Sequence, residues 1–264
     1  MKTLLLVNGW VGWKVSEWLT RQSDCEIVGA VLHPKEKRKR GEDILSVLPP
    51  DTPIFDGSRI NDADQIAEFK NLNAEIAISV FFGYILKSEF INVFPKGIVN
   101  LHPAFLPYNR GSYPNVWSII DGTPAGVTMH YIDEGIDTGD IIAQKEVPIA
   151  LDDTGATLYK KLDQECVQLF QESWPTLVSG KVTRKPQVLE DGTEHKVADV
   201  EEIDEINFKD TYTAQDLIDI IRARTFPHYP GAYIRGENGE KIFLRIQFSK
   251  EEEIGDENDP PLQY

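Results

Sequence analysis

The sequence predicts an α/β fold, a mostly parallel Rossmann-like sheet covered by helices, followed by a small C-terminal α+β appendage. Three observations carry that expectation. Short apolar runs at 3–7, 26–32, 74–82 and 97–99 read as strands buried on both faces, as those of a parallel sheet are. Helical periodicities lie between several of them, and strand–helix alternation argues for parallel strands. The 264 residues, 41% of them hydrophobic, suffice for one large core plus a smaller unit, expected to divide as 1–185 and 186–264.

Taken in order, Thr3-Leu4-Leu5-Leu6-Val7 forms the first strand and stops at Asn8-Gly9-Trp10-Val11-Gly12. Val15, Trp18 and Leu19 then recur at helical spacing. Gly9 and Gly12 allow a tight turn with free helix-start amides, but they fall short of a dinucleotide fingerprint, so NAD is not expected. Residues 26–32 give the second strand. Lys35, Lys37, Arg38, Lys39 and Arg40 follow it, either as a solvated loop or as a phosphate-grasping one. Pro49, Pro50 and Pro53 break the chain before Ile54-Phe55, a helix spans about 62–70, and 74–82 forms a further strand leading into Gly83-Tyr84-Ile85-Leu86.

Beyond Gly97-Ile98-Val99, Asn100 and His102 stand two residues apart, on one side of an extended chain. After a loop and a helix, residues 128–132 form another strand, followed by the acidic turn 133–140. From 154 to 180, Leu158, Leu162, Val167, Leu169, Phe170, Trp174 and Leu177 mark a long amphipathic helix. The polar stretch 187–205 reads as a linker or exposed hairpin. A capped helix begins at Thr213, and Asn238-Gly239 signals a terminal hairpin. In such a sheet ligands gather beyond the carboxyl ends of the strands, where Asn8, Phe82 and Asn100 lie.

An Asn, a His and an Asp brought together there would supply an amide donor for a developing oxyanion, a group titrating near neutrality, and an acid to orient it. Asn100, His102 and one acid of the 133–140 turn are the candidates. Each alone has a plainer reading as turn chemistry. The acid is one of Asp133, Asp137 and Asp140.

Together, Asn100-Leu101-His102-Pro103, Leu106-Pro107, Arg110-Gly111, Gly126-Val127-Thr128 and Gly135-Ile136-Asp137-Thr138-Gly139-Asp140 resemble the folate-dependent formyltransferases. The likeness runs over about residues 1–180. Residues 106–111 and 113–119 are most similar to the members that formylate nucleotide-linked amino sugars. The resemblance implies a formyltransferase fold, with 1–185 as catalytic domain and Asp137 as the acid of the set. It also implies N10-formyltetrahydrofolate as cosubstrate, held by Phe82, Gly83, Tyr84, Ile85 and Leu86 with Asp133 and Thr138 closing the pocket. Trp10, Tyr108, Asn109, Arg110 and Tyr113 would face the acceptor, a nucleotide sugar whose implied identity is a dTDP-linked 4-amino or 3-amino deoxyhexose. A role in lipopolysaccharide or O-antigen biosynthesis and a homodimer follow by the same analogy. Methionyl-tRNA and glycinamide ribonucleotide formyltransferases are alternatives within the family, although the tail is expected to be too short for the former's C-terminal domain. A non-catalytic nucleotide-binding module is the alternative outside it.

Composition narrows the partners. Forty-three acidic against 27 basic side chains, a net charge of −16, oppose binding to nucleic acid. No run approaches the ~20 apolar residues of a membrane span and no signal peptide precedes the first strand, so a soluble cytoplasmic protein is expected. Two separated cysteines, Cys25 and Cys166, form neither a disulfide pattern nor a metal cluster, and no metal is expected.

Overall fold

The computed structural model describes residues 1–251. Strands β1 (Lys2–Val7), β2 (Glu26–Leu32), β3 (Ile54–Asp56), β4 (Ile76–Val80), β5 (Ile98–His102), β7 (Gly126–Tyr131) and β8 (Ile141–Glu146) build one sheet in the order β3-β2-β1-β4-β5-β7-β8. A two-residue strand β6 (Arg110–Gly111) lies outside it. The first five strands of the sheet are parallel, whereas β7 runs antiparallel to both β5 and β8. The strand order reverses between β1 and β4, which opens a crevice beyond their carboxyl ends.

The two faces of β1 show why its run is continuously apolar. Leu5 and Val7 join the core beneath helices α1 (Gly9–Leu19) and α6 (Gly155–Ser179). Leu4 and Leu6 belong to the opposite core, with Phe69 of helix α3 (Ala63–Asn71) and Phe90 of the short helix α4 (Ser88–Ile91). Helix α2 (Gly41–Val47) adds Ile44 to the first core. In α6, Thr154 caps the first turn through the Thr157 amide, Gly180 closes the last in the left-handed region, and Trp18 of α1 packs edge-on against Phe170 and Trp174. Cys25 and Cys166 are both free thiols, Cys166 within the core.

Helix α5 (Pro114–Ile120) is packed by α8 (Ala214–Ala223), so the C-terminal elements dock onto the main sheet's helical layer. Between them come α7 (Val200–Asp204) and, beyond, the hairpin β10 (Tyr233–Arg235) and β11 (Lys241–Phe243). The expected C-terminal unit runs on to residue 264, and 252–264 lie outside the described residues.

One expectation is corrected. Residues 187–205 are mostly exposed, as expected, but form no hairpin of their own: 194–195 form a strand, β9 (Glu194–His195), paired in parallel with β6, and 3-10 turns flank it at Leu189–Asp191 and Val197–Asp199. Polarity misleads here because Gln187, Thr193 and His195 direct their polar groups at other loops of the protein. The strand expected over 74–82 is shorter, since Phe81 turns into the left-handed region at φ 55°.

Candidate active site

β5 carries Asn100 and His102, and its antiparallel neighbour β7 sets His130 directly opposite Asn100. The Asn100 amide nitrogen lies 3.1 Å from His130 Nε2, and His130 Nδ1 lies 2.8 Å from the Tyr131 carbonyl oxygen. A carbonyl only accepts, so Nδ1 carries a proton, and in the neutral ring Nε2 accepts from the Asn100 amide. The 133–140 turn then brings Asp137 between the imidazoles, with Oδ2 3.6 Å from His102 Nε2 and Oδ1 3.5 Å from His130 Nε2. Its carboxylate also accepts the Gly111 N–H at 3.0 Å. Asp137 holds a left-handed conformation, and the turn passes so close to β7 that a Cβ at Gly139 would collide with the Tyr131 carbonyl oxygen.

Of the acids of this turn, Asp133 is occupied locally, accepting from the Gly135 N–H at 3.0 Å and the Thr138 hydroxyl at 2.6 Å. That closes the turn. Asp137 faces the histidines.

Burial opposes the Asp137 charge, but His102, His130 and the Gly111 amide outweigh it and hold the carboxyl well below the usual range. His102, 7% exposed, is shifted the other way relative to its charged form: burial lowers its pKa, reinforced by His130 and only partly opposed by Asp137. At neutral pH the pair is therefore a carboxylate beside a neutral imidazole. His102 Nε2 also sits 3.4 Å from the Asn109 carbonyl.

A cavity of about 220 Å³ opens in front of this cluster, lined by Asn100, His130 and Asp137 at one end and by Phe82, Tyr84, Ile85, Leu86 and Ile132 along its walls. Ile85 is 78% exposed and Ile136, also lining it, 47%. Such apolar surface at a mouth beside Asp133 and backbone amides suits a flat heterocycle with a polar edge. Behind Phe82 and Tyr84 stands His33, its ring centroid 5.2 and 5.0 Å from theirs, with Nδ1 3.0 Å from the Asn8 amide nitrogen and Nε2 accepting the Gly83 N–H at 3.2 Å.

The residues expected on the acceptor side are distributed differently. Asn109 is fully buried, and its side chain bonds Ser118, Thr123 and Thr193, so it holds the loop together and presents no group to a ligand. Arg110 is nearly buried, reaching toward the Thr193 carbonyl and Glu194. Trp10 is partly buried against the main core, and Tyr113 is 42% exposed. Tyr108 is half-buried, and Thr138 and Gly83 contribute to the site through their neighbours. The basic loop is tied to the first turn, with the Lys39 N–H donated to Asn8 Oδ1 and the Gly9 N–H to the Lys39 carbonyl.

Two participants escape the sequence reading. His130 looks there like a polar residue in an apolar strand, and only the β5–β7 register aims it at Asn100. Gln187 lies in the polar stretch, yet its amide donates to the carbonyls of Asp137 and Gly139.

Residues 17–173 match the family model described as formyl transferase, well over half of the chain. The chain belongs to the formyl transferase family. Residues 199–250 of this formyl transferase also match an N-formyltransferase dimerization C-terminal domain. Its relatives include a methionyl-tRNA formyltransferase of Thermodesulfovibrio yellowstonii, 35% identical over 169 residues, covering 61% of this chain and 55% of the relative. A dTDP-4-amino-4,6-dideoxyglucose formyltransferase of Mycobacterium tuberculosis is 35% identical over 153 residues, 58% of this chain and 65% of that one. The chain spans about half the length of several curated methionyl-tRNA formyltransferases it matches. Among solved structures, a 4-N formyltransferase from Francisella tularensis superposes with a TM-score of 0.81 at 26% identity, covering 94% of this chain and 98% of that one. The formyltransferase PseJ from Anoxybacillus kamchatkensis, solved with UDP-4,6-dideoxy-4-formamido-L-AltNAc and tetrahydrofolate, is 32% identical with a TM-score of 0.56, covering 76% of this chain and 89% of that chain.

Proposed function

We propose that this protein transfers a formyl group from N10-formyltetrahydrofolate to the amino group of a nucleotide-linked amino deoxysugar, with a dTDP-linked 4-amino or 3-amino deoxyhexose as acceptor. The observation that carries the reading is the convergence of Asn100, His130 and Asp137 at one end of an apolar-walled cavity, with His102 buried 3.6 Å from the Asp137 carboxylate. The folate supplies an activated formyl group, and Phe82, Tyr84, Ile85, Leu86 and Asp133 would hold its ring system. Asn100 has two amide hydrogens. One bonds His130, leaving the other for the charge that develops on the formyl oxygen when the amine attacks. Neutral His102 accepts the proton that the attacking nitrogen loses, and Asp137 stabilises the imidazolium so formed. The new C–N bond thus forms at attack; the proton then passes to the leaving nitrogen as the formyl oxygen re-forms its double bond and the old C–N bond breaks, and His102 returns to its neutral state.

The acceptor assignment is supported by the mycobacterial dTDP-sugar relative, the near full-length similarity to the Francisella 4-N formyltransferase, and the ligands of PseJ. The methionyl-tRNA enzymes share the family, but a net charge of −16 disfavours a polyanionic acceptor. We further propose a division into a catalytic domain (1–185) and a C-terminal unit (186–264) that forms a homodimer in the cytoplasm. The match to a dimerization domain supports this association, and among the described residues no helix is long and apolar enough to cross a membrane.

The test offers the protein N10-formyltetrahydrofolate with dTDP- and UDP-linked 3-amino and 4-amino deoxysugars, glycinamide ribonucleotide and charged initiator tRNA. Mass spectrometry should find formylation of a nucleotide sugar. Efficient formylation of the tRNA or the ribonucleotide with every sugar ignored would overturn the assignment.

A further inference from the structure

The stretch 174–198 lies between the two family matches, and its second half touches the Asp137 turn and the 108–112 loop together. We propose that Gln187 is a positioning residue that holds Asp137 for His102, as the anchor of a strap formed by residues 185–195. The inference rests on the catalytic role given to Asp137 above.

The strap starts as a strand partner. Lys185 and Ile141 exchange backbone hydrogen bonds of 2.9 and 2.8 Å, which aligns the chain against the start of β8. Two residues on, both amide hydrogens of Gln187 are used on the turn: Nε2 donates to the Asp137 carbonyl at 2.9 Å and to the Gly139 carbonyl at 2.7 Å. Gln187 Oε1 is buried without a protein partner among the described residues, so the donors are what this side chain contributes. They fix a residue whose φ of 53° is rarely adopted when a Cβ is present.

The far end grips the same carboxylate indirectly. At Gly192 the strap passes so close to Pro107 that a Cβ would collide with the Pro107 carbonyl oxygen. Thr193 accepts the Asn109 N–H on its hydroxyl at 2.8 Å, donates that hydroxyl to Asn109 Oδ1 at 3.0 Å, and accepts the Arg110 N–H on its carbonyl at 3.0 Å. The His195 carbonyl takes the Ser112 N–H at 2.8 Å, while its ring stacks on Trp117 at 4.0 Å and its Nε2 pairs with Asp121 at 2.9 Å. These contacts fix Gly111, whose N–H is the donor to Asp137 Oδ2. One segment therefore sets both the backbone of Asp137 and the direction of its carboxylate. A brace serving stability alone would not need to meet this residue twice.

The test is a double-mutant cycle on the full chain, with N10-formyltetrahydrofolate and dTDP-4-amino-4,6-dideoxyglucose as probes. Gln187→Met keeps the length of the side chain and removes its donors. It should lower kcat about tenfold, the scale of a small misplacement of a reacting group, yet cost less than about twofold in an Asp137→Asn background. Gln187→Leu, which removes the donors without adding charge, should behave like Gln187→Met, and serves in its place if that variant does not fold. Thr193→Val should also slow turnover, and Thr193→Ser should restore it. A substrate-free readout is the NMR titration of His102, whose charged form Asp137 favours and burial and His130 oppose. Its midpoint should fall in Gln187→Met. Equal losses in both backgrounds, or an unmoved midpoint with only a lower Tm, would overturn the strap. Near-wild-type kcat in Asp137→Asn would sink the catalytic role itself, and the strap proposal with it, whereas an impaired Asp137→Asn beside a normal Gln187→Met would remove the strap alone.

Discussion

Asn100, His130, Asp137 and His102 form a chain of contacts in which each polar group depends on the next for its orientation. Removing the Asn100 amide in Asn100→Ala should cost on the order of 10²-fold in kcat, the usual scale for one oxyanion donor. His130→Phe should cost about tenfold, because the amide proposed to face the reacting carbonyl loses the acceptor fixing its rotation. Undiminished kcat in either variant would exclude it from the reaction. The pH dependence has a definite sign. Burial holds His102 below the ordinary imidazole value of about 6.5, so the acid limb of kcat/KM should lie below that pH. Asp137 pulls this pKa upward, so in Asp137→Asn the limb should move further down while the plateau falls. A limb that moves up would contradict the carboxylate's assignment.

At the scale of the element, helix α6 holds a group at odds with its surroundings. Asp163 is pushed up to about 7 by burial, and one of its oxygens has no hydrogen-bond partner among the described residues. A carboxyl whose folded pKa is raised binds more protons folded than unfolded between about pH 4 and 7. It therefore costs nothing at low pH and increasingly destabilises the fold as pH rises through that window. Asp163→Asn should raise the Tm at pH 8 by at least about 2 °C, roughly the change per kcal/mol for a chain of this size, and by much less at pH 4.5. An equal gain at both values would show that ionisation of Asp163 is not the cause. The same helix illustrates what periodicity conveys: Leu158, Leu162, Leu169, Phe170, Trp174 and Leu177 are buried, as their spacing predicts, while Val167 is half-buried at the edge of the same face. Residues 187–195 had no such signal, since a polar side chain bonded to a distant backbone has the same composition as one bonded to water.

For the whole molecule, the exposed apolar residues near the C-terminus set the next expectation. Phe208 is 80% exposed, and Ile242 and Phe243 of the terminal hairpin 45% and 48%. In the proposed dimer these surfaces are covered by the second copy. Ile242→Glu combined with Phe243→Glu should shift the sedimenting species from dimer to monomer with the secondary structure intact. A dimer that survives both substitutions places the interface elsewhere.

By itself the sequence determined the α/β class, the alternation of the main strands and helices, and the shared side of Asn100 and His102, because a two-residue spacing on an extended chain fixes a shared side whatever surrounds it. The residues alone left Asp133, Asp137 and Asp140 open; the resemblance to the formyltransferases pointed to Asp137, in a turn whose glycines allow it to close against β7. Tertiary structure alone decided that His130 faces Asn100 across 30 residues of chain, that Asn109 is buried as a brace, and that Gln187 reaches back 50 residues to the Asp137 carbonyl. Periodicity reports which side chains leave water, but the partner of a buried polar group depends on strand register and loop approach, and these are settled only when the whole sheet has assembled.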